Sequence, residues 1–312
     1  MRKETPASEL FQYFLKLLGD YTYHSFMAKW QKEQFENLLA SLPQNHVLCV
    51  HDFSDNYSCR YQHEIQLQFF DQNKISIHVS ILYRHSNLIV DGEQSTVDDP
   101  LIVKEHVFVV SDDNTQDYNF VHEAQKLIFT YLTHTLKVAV DKVHEFTDGC
   151  AGQYKSRHTY GDLSCSLADF GFQVDRHFFE TSHAKGEQDA AGANIKQRAT
   201  LAVIRREATI GSAKDLYDYL TEHFTNPTSQ SGQVTLKKRV LFHISPSRVK
   251  VQSQGTGLVA HLKCSMVLGR YTQYEPHLNS ARSLQEKEAV LVLRAFKKTL
   301  LHARMQSWLT NG

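Results

Sequence analysis

Three acids in the sequence stand where chemistry could use them. Asp52 closes the apolar run His46-Val-Leu-Cys-Val-His51, Asp148 follows the apolar segment from Val138 to Phe146, and Asp189 opens a helical stretch. If the two apolar runs are neighbouring parallel strands, Asp52 and Asp148 reach the same edge of a sheet, the edge at which open sheets containing parallel strands hold ligands. Asp189 then closes the place from one side. Three carboxylates cannot crowd into a small dry site as anions without a counter-charge. Mg²⁺ or Mn²⁺, hard cations that prefer oxygen, would supply it. Two such ions about 3.5–4 Å apart would clamp the attacking and leaving oxygens of a phosphodiester. Taken singly, each acid has a blander role: an Asp at a strand end is ordinary turn chemistry, and an Asp opening a helix is an ordinary cap. Asp55 is an alternative to Asp52, and Glu187 to Asp189.

The residues around these acids extend the same reading. In Asp148-Gly-Cys-Ala-Gly-Gln-Tyr-Lys-Ser-Arg157, Gly149 and Gly152 permit close backbone approach to a phosphate. Gln153 is placed to hydrogen-bond a base or bound water, and Lys155 and Arg157 to neutralise nucleic-acid phosphates. In the second segment His183 is a candidate to orient the scissile phosphate or protonate the leaving oxygen, while Lys185, Lys196 and Arg198 would track the backbone. The alternative is a solvated helix face with a structural histidine.

The elements that must position these groups follow from periodicity. Leu10 to Leu18 and Phe26 to Leu42 read as two helices, the first ended by Gly19 and the second by Pro43. The runs 46–51, 64–70 and 74–83 alternate as strands and form an antiparallel meander, with 101–110 as a further strand. A helix over 117–136, a strand over 138–146, partial helix over 151–169, a strand over 172–180 and a helix over 189–207 complete the core. Beyond it, 212–224 reads as helix, 234–251 and 258–269 as strands, and 284–309 as a terminal helix. This order predicts an α/β fold: an RNase H-like mixed five-stranded sheet flanked by helices, with a helical segment over 1–44, a core over 45–210 and a small C-terminal α+β extension over 211–312.

Composition narrows the partners. Lys and Arg together number 34, equal to Asp and Glu, so no global basic field exists and any nucleic-acid surface is a local patch. The five cysteines are scattered without a CxxC pair, which argues against a zinc finger and for a reduced compartment. Neither a leader peptide nor an apolar run of membrane-span length is present, so no membrane association is expected. Lys237-Lys238-Arg239 is a short basic cluster, weak as a nuclear signal.

The segments Asp52-Phe-Ser-Asp-Asn-Tyr, Phe146-Thr-Asp-Gly-Cys-Ala-Gly-Gln-Tyr-Lys-Ser-Arg157 and Phe178-Phe-Glu-Thr-Ser-His-Ala-Lys-Gly-Glu-Gln-Asp189 resemble, in order, three motifs of a family of uncharacterised animal proteins derived from DNA transposons with an RNase H-like DDE/DDD domain. The likeness spans residues 47–206. It implies that Asp52, Asp148 and Asp189 are the catalytic, metal-holding acids with His183 and Lys185 beside them, and that the activity is DNA strand cleavage and transfer with two Mg²⁺ or Mn²⁺ ions. It further implies DNA as partner, assembly of copies on DNA, and a nuclear location. Ala184, Ala190 and Ala193 stand where the family has glycine. The competing expectation is an inactive, repurposed DNA- or protein-binding module.

Overall fold

Long runs of β-branched and aromatic residues interrupted by turns dictate a sheet, and the amphipathic stretches between them dictate its cover. The computed structural model describes residues 6–59, 72–180, 186–225 and 235–252. Six strands form one mixed sheet: β1 (His46–Ser58), β2 (Lys74–His85), β3 (Ile102–Ser111), β4 (Lys142–Thr147), β5 (Gln173–Phe178) and β6 (Thr235–His243), in the order β5-β4-β1-β2-β3-β6. β1 and β3 flank β2 antiparallel, whereas β4 runs parallel to β1, β5 parallel to β4, and β6 parallel to β3.

The helices are α1 (Ala7–Ala40), α2 (Leu88–Asp91), α3 (Tyr118–Thr130) continued by a π-helical turn to Thr135, α4 (Arg157–Phe170), α5 (Glu187–Ile204), α6 (Ala213–His223) and α7 (Pro246–Gln252). Two compact units divide the chain, one comprising Phe35–Val267 and the other Met1–Gln34 with Leu268–Gly312. In the latter, the described residues are helical from Ala7. None of the described helices is long and apolar enough to cross a membrane.

In the larger unit each sheet face buries its own layer. Leu48, Val50, Ile77, Val79 and Phe146 pack with Ala191, Ile195 and Ala199 of α5 and Leu216 and Leu220 of α6. On the other face Val47, Cys49, Val143 and Val174 pack with Ile128, Phe129 and Leu132 from α3 and its π turn. Period-two alternation along β1 and β4 therefore assigns even-numbered residues to the α5 face and odd-numbered ones to the α3 face.

Several sequence expectations shift. A single helix runs through Gly19, whose absent Cβ would meet nothing within 4 Å. One helical glycine costs about 1 kcal/mol against alanine, too little to end a helix of this length. The third strand of the meander is β3 rather than 74–83, because β1 extends to Ser58 and pairs directly with β2. The predicted strands at 64–70 and 258–269 and the helix at 284–309 fall entirely outside the described residues. β4 begins at Lys142, since the π turn and Lys137 at φ 53° redirect the chain first. The sheet has six strands, not five: β6 pairs with β3 from Val103↔Thr235 to Val110↔His243. Leu216, Leu220 and Leu241, placed by sequence in a C-terminal extension, share the core of α5. Residues 246–252 are helix, not strand.

One contact governs how closely α5 approaches β1. A Cβ on Gly192 would lie 2.6 Å from Ser54 Oγ and 2.8 Å from Ser54 Cβ. Only hydrogen fits there, so the helix seats directly on the strand. Gly192→Ala gains about 1 kcal/mol of helix propensity but forces a shift in packed backbone, which typically costs about 1–3 kcal/mol. We expect a net loss of stability in thermal or urea melts, relieved in the double variant Gly192→Ala/Ser54→Gly. No relief in the double variant would mean that some other contact resists the new methyl.

Candidate active site

The site is built from strand register. β1 and β4 pair in parallel up to Val50↔Phe146, so Asp52 and Asp148, two residues further on each chain, stand level with one another on the α5 face; Asp52 lies inside β1 opposite Val79 rather than at a strand end, because β1 continues to Ser58, and Asp148 lies just past the end of β4. Asp189 lies one helical turn before Gly192, on the same side of α5, and Ser54 lies two residues beyond Asp52, on the same side of β1. The tight Gly192–Ser54 approach thus carries Asp189 toward Asp52.

Electrostatics report the result. The Asp52 carboxyl is pushed up to about 7, first by burial and then by the charges of Asp148 and Asp189, with a smaller contribution from Asp55; a backbone hydrogen bond from Phe53 opposes the rise. The three acids that sequence singled out therefore act on one another. Two of them also do structural work: Asp148 Oδ1 accepts the Cys150 N–H at 3.1 Å, and Asp189 Oδ2 accepts the Gly186 N–H at 2.8 Å.

The alternatives separate cleanly. Glu187 is engaged elsewhere, 2.8 Å from Lys104 Nζ and 2.7 Å from His106 Nε2; burial alone would raise its carboxyl, but these partners hold it down to about 2. Asp55 is exposed. Its carbonyl accepts from Lys196 Nζ at 3.1 Å, which brings that lysine beside the acid loop. Arg198 is turned the other way: its guanidinium lies 5.2 Å from the Phe224 ring and its Nε donates to Asn194 Oδ1 at 3.3 Å. Lys155, exposed, stands 5.2 Å above the Phe178 ring; Arg157 is exposed at the start of α4, and Gln153 is half-buried in the turn before it. His183 and Lys185 lie outside the described residues.

Sequence reasoning missed the support beneath the acids. Glu145, fully buried, accepts from Arg176 Nε at 2.9 Å, Arg176 Nη2 at 2.7 Å and Gln125 Nε2. His51 Nε2 is 3.3 Å away, within ion-pair range but off hydrogen-bond geometry, and its Nδ1 meets Ser80 Oγ at 2.7 Å. Burial would raise the Glu145 carboxyl, yet the Arg176 charge and these donors hold it well below the usual range. Tyr154 was passed over as well. It is fully buried, and among the described residues its hydroxyl has no hydrogen-bond partner; burial, then Asp52 and Asp148, push that hydroxyl well up. The available signal was a pair of opposite charges, Glu145 and Arg176, on the same faces of their strands as the apolar Val143 and Val174, where a buried ion survives only when paired.

What the cluster can do is hold positive charge. A carboxyl pushed up to about 7 by burial first and then by two neighbouring carboxylates belongs to a set of oxygen donors short of a counter-ion.

Among comparisons with known proteins, residues 31–241, more than half of the chain, match the family described as a domain of unknown function (DUF8701). No curated protein matches.

The Asp52 shift predicts a pH dependence. From the ordinary carboxylate range near pH 4 up to about 7, the folded chain keeps a proton that the unfolded chain has released, so stability falls as pH rises through that window. In melts without added metal, Asp52→Asn should match the parent near pH 4 and exceed it at pH 8 by about 1–2 kcal/mol, after discounting for partial exposure. Equal stability at pH 8 would show that Asp52 feels no crowding.

Proposed function

The chain belongs to the DUF8701 family, and from that premise and the acid cluster we propose that it is a divalent-metal-dependent nuclease of the transposase type, cleaving and transferring DNA strands from an RNase H-like core. The observation that carries this reading is the placement of Asp52, Asp148 and Asp189 on one side of the sheet, where burial first and then the charges of Asp148 and Asp189 push the Asp52 carboxyl up to about 7. The strand order β5-β4-β1-β2-β3, with the first three sequence strands antiparallel and the next two parallel to β1, supports it as well. So does the resemblance of the three acid-bearing motifs to transposon-derived proteins.

The residues fit Mg²⁺ or Mn²⁺ on donor chemistry: three carboxylates, no sulfur, and a protonation state that a cation would reverse. When bound, two such ions supply Lewis acidity for phosphodiester displacement. Asp52 and Asp148 hold the cation-binding edge from the sheet, and Asp189 holds it from the helix. Lys196 and Lys155 offer positive charge to a nucleic-acid backbone on either side. Gln153 and Arg157 extend that track in this reading, and His183 and Lys185 would stand at the scissile phosphate. Arg198, turned onto Phe224, contributes through packing instead. A nuclear location and assembly of copies on DNA follow from the same reading.

The zero formal net charge favours a second reading, a repurposed module that binds DNA or protein without cutting it. One experiment separates them. The full chain is incubated with DNA and Mn²⁺, in parallel with Asp148→Ala. We expect metal-dependent strand breakage by the parent and background levels from the variant, with unchanged circular dichroism. Breakage that survives in Asp148→Ala would refute the site; DNA binding without breakage by the parent would establish the second reading.

A further inference from the structure

A second group of ligating side chains sits on the same face of the sheet, toward the start of the strands. The β4/β5 register sets His144 beside Asp175 and Phe146 beside His177. Asp175 and His177, two apart on β5, point to the same face, and His144 faces them from β4. One ligating atom from each of these three residues lies within 4.8 Å of the other two. Backbone pairing on two adjacent strands fixes this arrangement, so it does not depend on a loop. His177 Nε2 is buried and has no hydrogen-bond partner among the described residues. Leaving a buried polar nitrogen unpaired costs free energy, and a ligand at that place would remove the cost. The next strand supplies an outer contact: His46 Nδ1 is 3.0 Å from His144 Nε2, the kind of hydrogen bond that orients ligating imidazoles. Burial, with neighbouring imidazoles and Lys142, keeps the His144 ring neutral down to about pH 4, the form that ligates.

We propose that His144, Asp175 and His177 form a binding site for a borderline-soft divalent transition-metal ion of the zinc class, distinct from the acid cluster at the strand ends. Two imidazole nitrogens and one carboxylate suit Zn²⁺, Co²⁺ or Ni²⁺ better than Mg²⁺. Three protein ligands leave a coordination position for water or a fourth donor. Tetrahedral bond lengths of about 2.0–2.2 Å bring ligating atoms closer than they now stand, so the side chains must draw inward. Asp175 can do so. Its side chain is 45% exposed, and its present partner, Lys142 Nζ at 2.5 Å, is a surface cation that holds it only weakly. Lys142 is accordingly a competitor of the metal.

The test is Co²⁺ binding to the full chain, read by its ligand-field absorption, and Zn²⁺ binding by competition with a chromophoric chelator. One equivalent is expected to bind with a four-coordinate Co²⁺ spectrum. His144→Ala and His177→Ala should each weaken binding at least tenfold, and His46→Ala less. Asp148→Ala should leave it unchanged, which keeps the outcome independent of the proposed nuclease site. Should the histidine variants fail to fold, the Asp175–Lys142 ion pair carries the test: Asp175→Asn should weaken Zn²⁺ binding several-fold and Lys142→Gln should strengthen it. The proposal is overturned if the parent binds no more Zn²⁺ than His144→Ala/His177→Ala, or if Asp175→Asn and Lys142→Gln both leave the affinity unchanged.

Discussion

The parallel pairing of β1 with β4 is the constraint on which the site depends. Almost a hundred residues separate Val50 from Phe146, yet their register decides whether Asp52 and Asp148 emerge level or staggered. A slip of one residue would not merely displace an acid by a few ångströms. It would turn the alternating side chains of β4 over, putting Phe146 into the α3 layer and Glu145 into the α5 layer. Burial forbids this: Val143 is packed on one face and Phe146 on the other, each essentially inaccessible to water. Hydrophobic register is thus what places the charged groups.

Glu145 reinforces that register from below. A buried carboxylate without partners would be intolerable, and this one is satisfied by residues from β5 and α3, with His51 of β1 within ion-pair distance. Such a network is weak evidence of net stabilisation, because desolvation offsets most of the attraction. Its consequence is specificity, since each wrong register would strand at least one charge. Arg84 performs a similar service on the other half of the sheet, bonded to Asp91 and Glu105 while Tyr131 donates to Glu105 at 2.8 Å. Both networks cross from one element to another, so they tie together pieces that hydrophobic contact alone would align only loosely.

These dependencies explain what could be read from sequence and what could not. The strand-end position of Asp148 was legible because an apolar run followed by Asp-Gly is a local pattern, whereas Asp52, read the same way, lies inside a strand that pairing with β2 prolongs to Ser58. The helix over 189–207 was legible from periodicity, although it opens two residues earlier, at Glu187, with Asp189 in its first turn. The pairing of β6 with β3 was not, since nothing local marks a strand at 235–243 as the sixth member of a sheet that starts at residue 46. Gly19 misled because its neighbourhood was judged by propensity, whereas a long continuous helix absorbs one glycine. The direction of Arg198 was equally hidden: its position on the acid-bearing helix suggested a phosphate, but Phe224, brought in by α6, offers its ring instead. For β6 and Arg198 the deciding partner lies elsewhere in the chain, and for Gly19 the deciding factor is the length of its own helix.

Donor chemistry changes along the α5 face of β4. The strand rises about 3.3 Å per residue, so His144 stands roughly 13 Å behind Asp148 on the same side. Phe146 lies between them, with Phe35 and Phe179 against its ring at 5.2 and 5.3 Å. This aromatic block stands between His144 and Asp148 along the strand, and the His177 ring stacks on it at 4.8 Å. It also lowers the local dielectric on both sides, which strengthens every charge interaction within each group. The crowding felt by Asp52 and the neutrality of His144 have opposite chemical signs, one acid unwilling to lose its proton and one base unwilling to gain it. They share a cause in the apolar packing that the alternating strands impose.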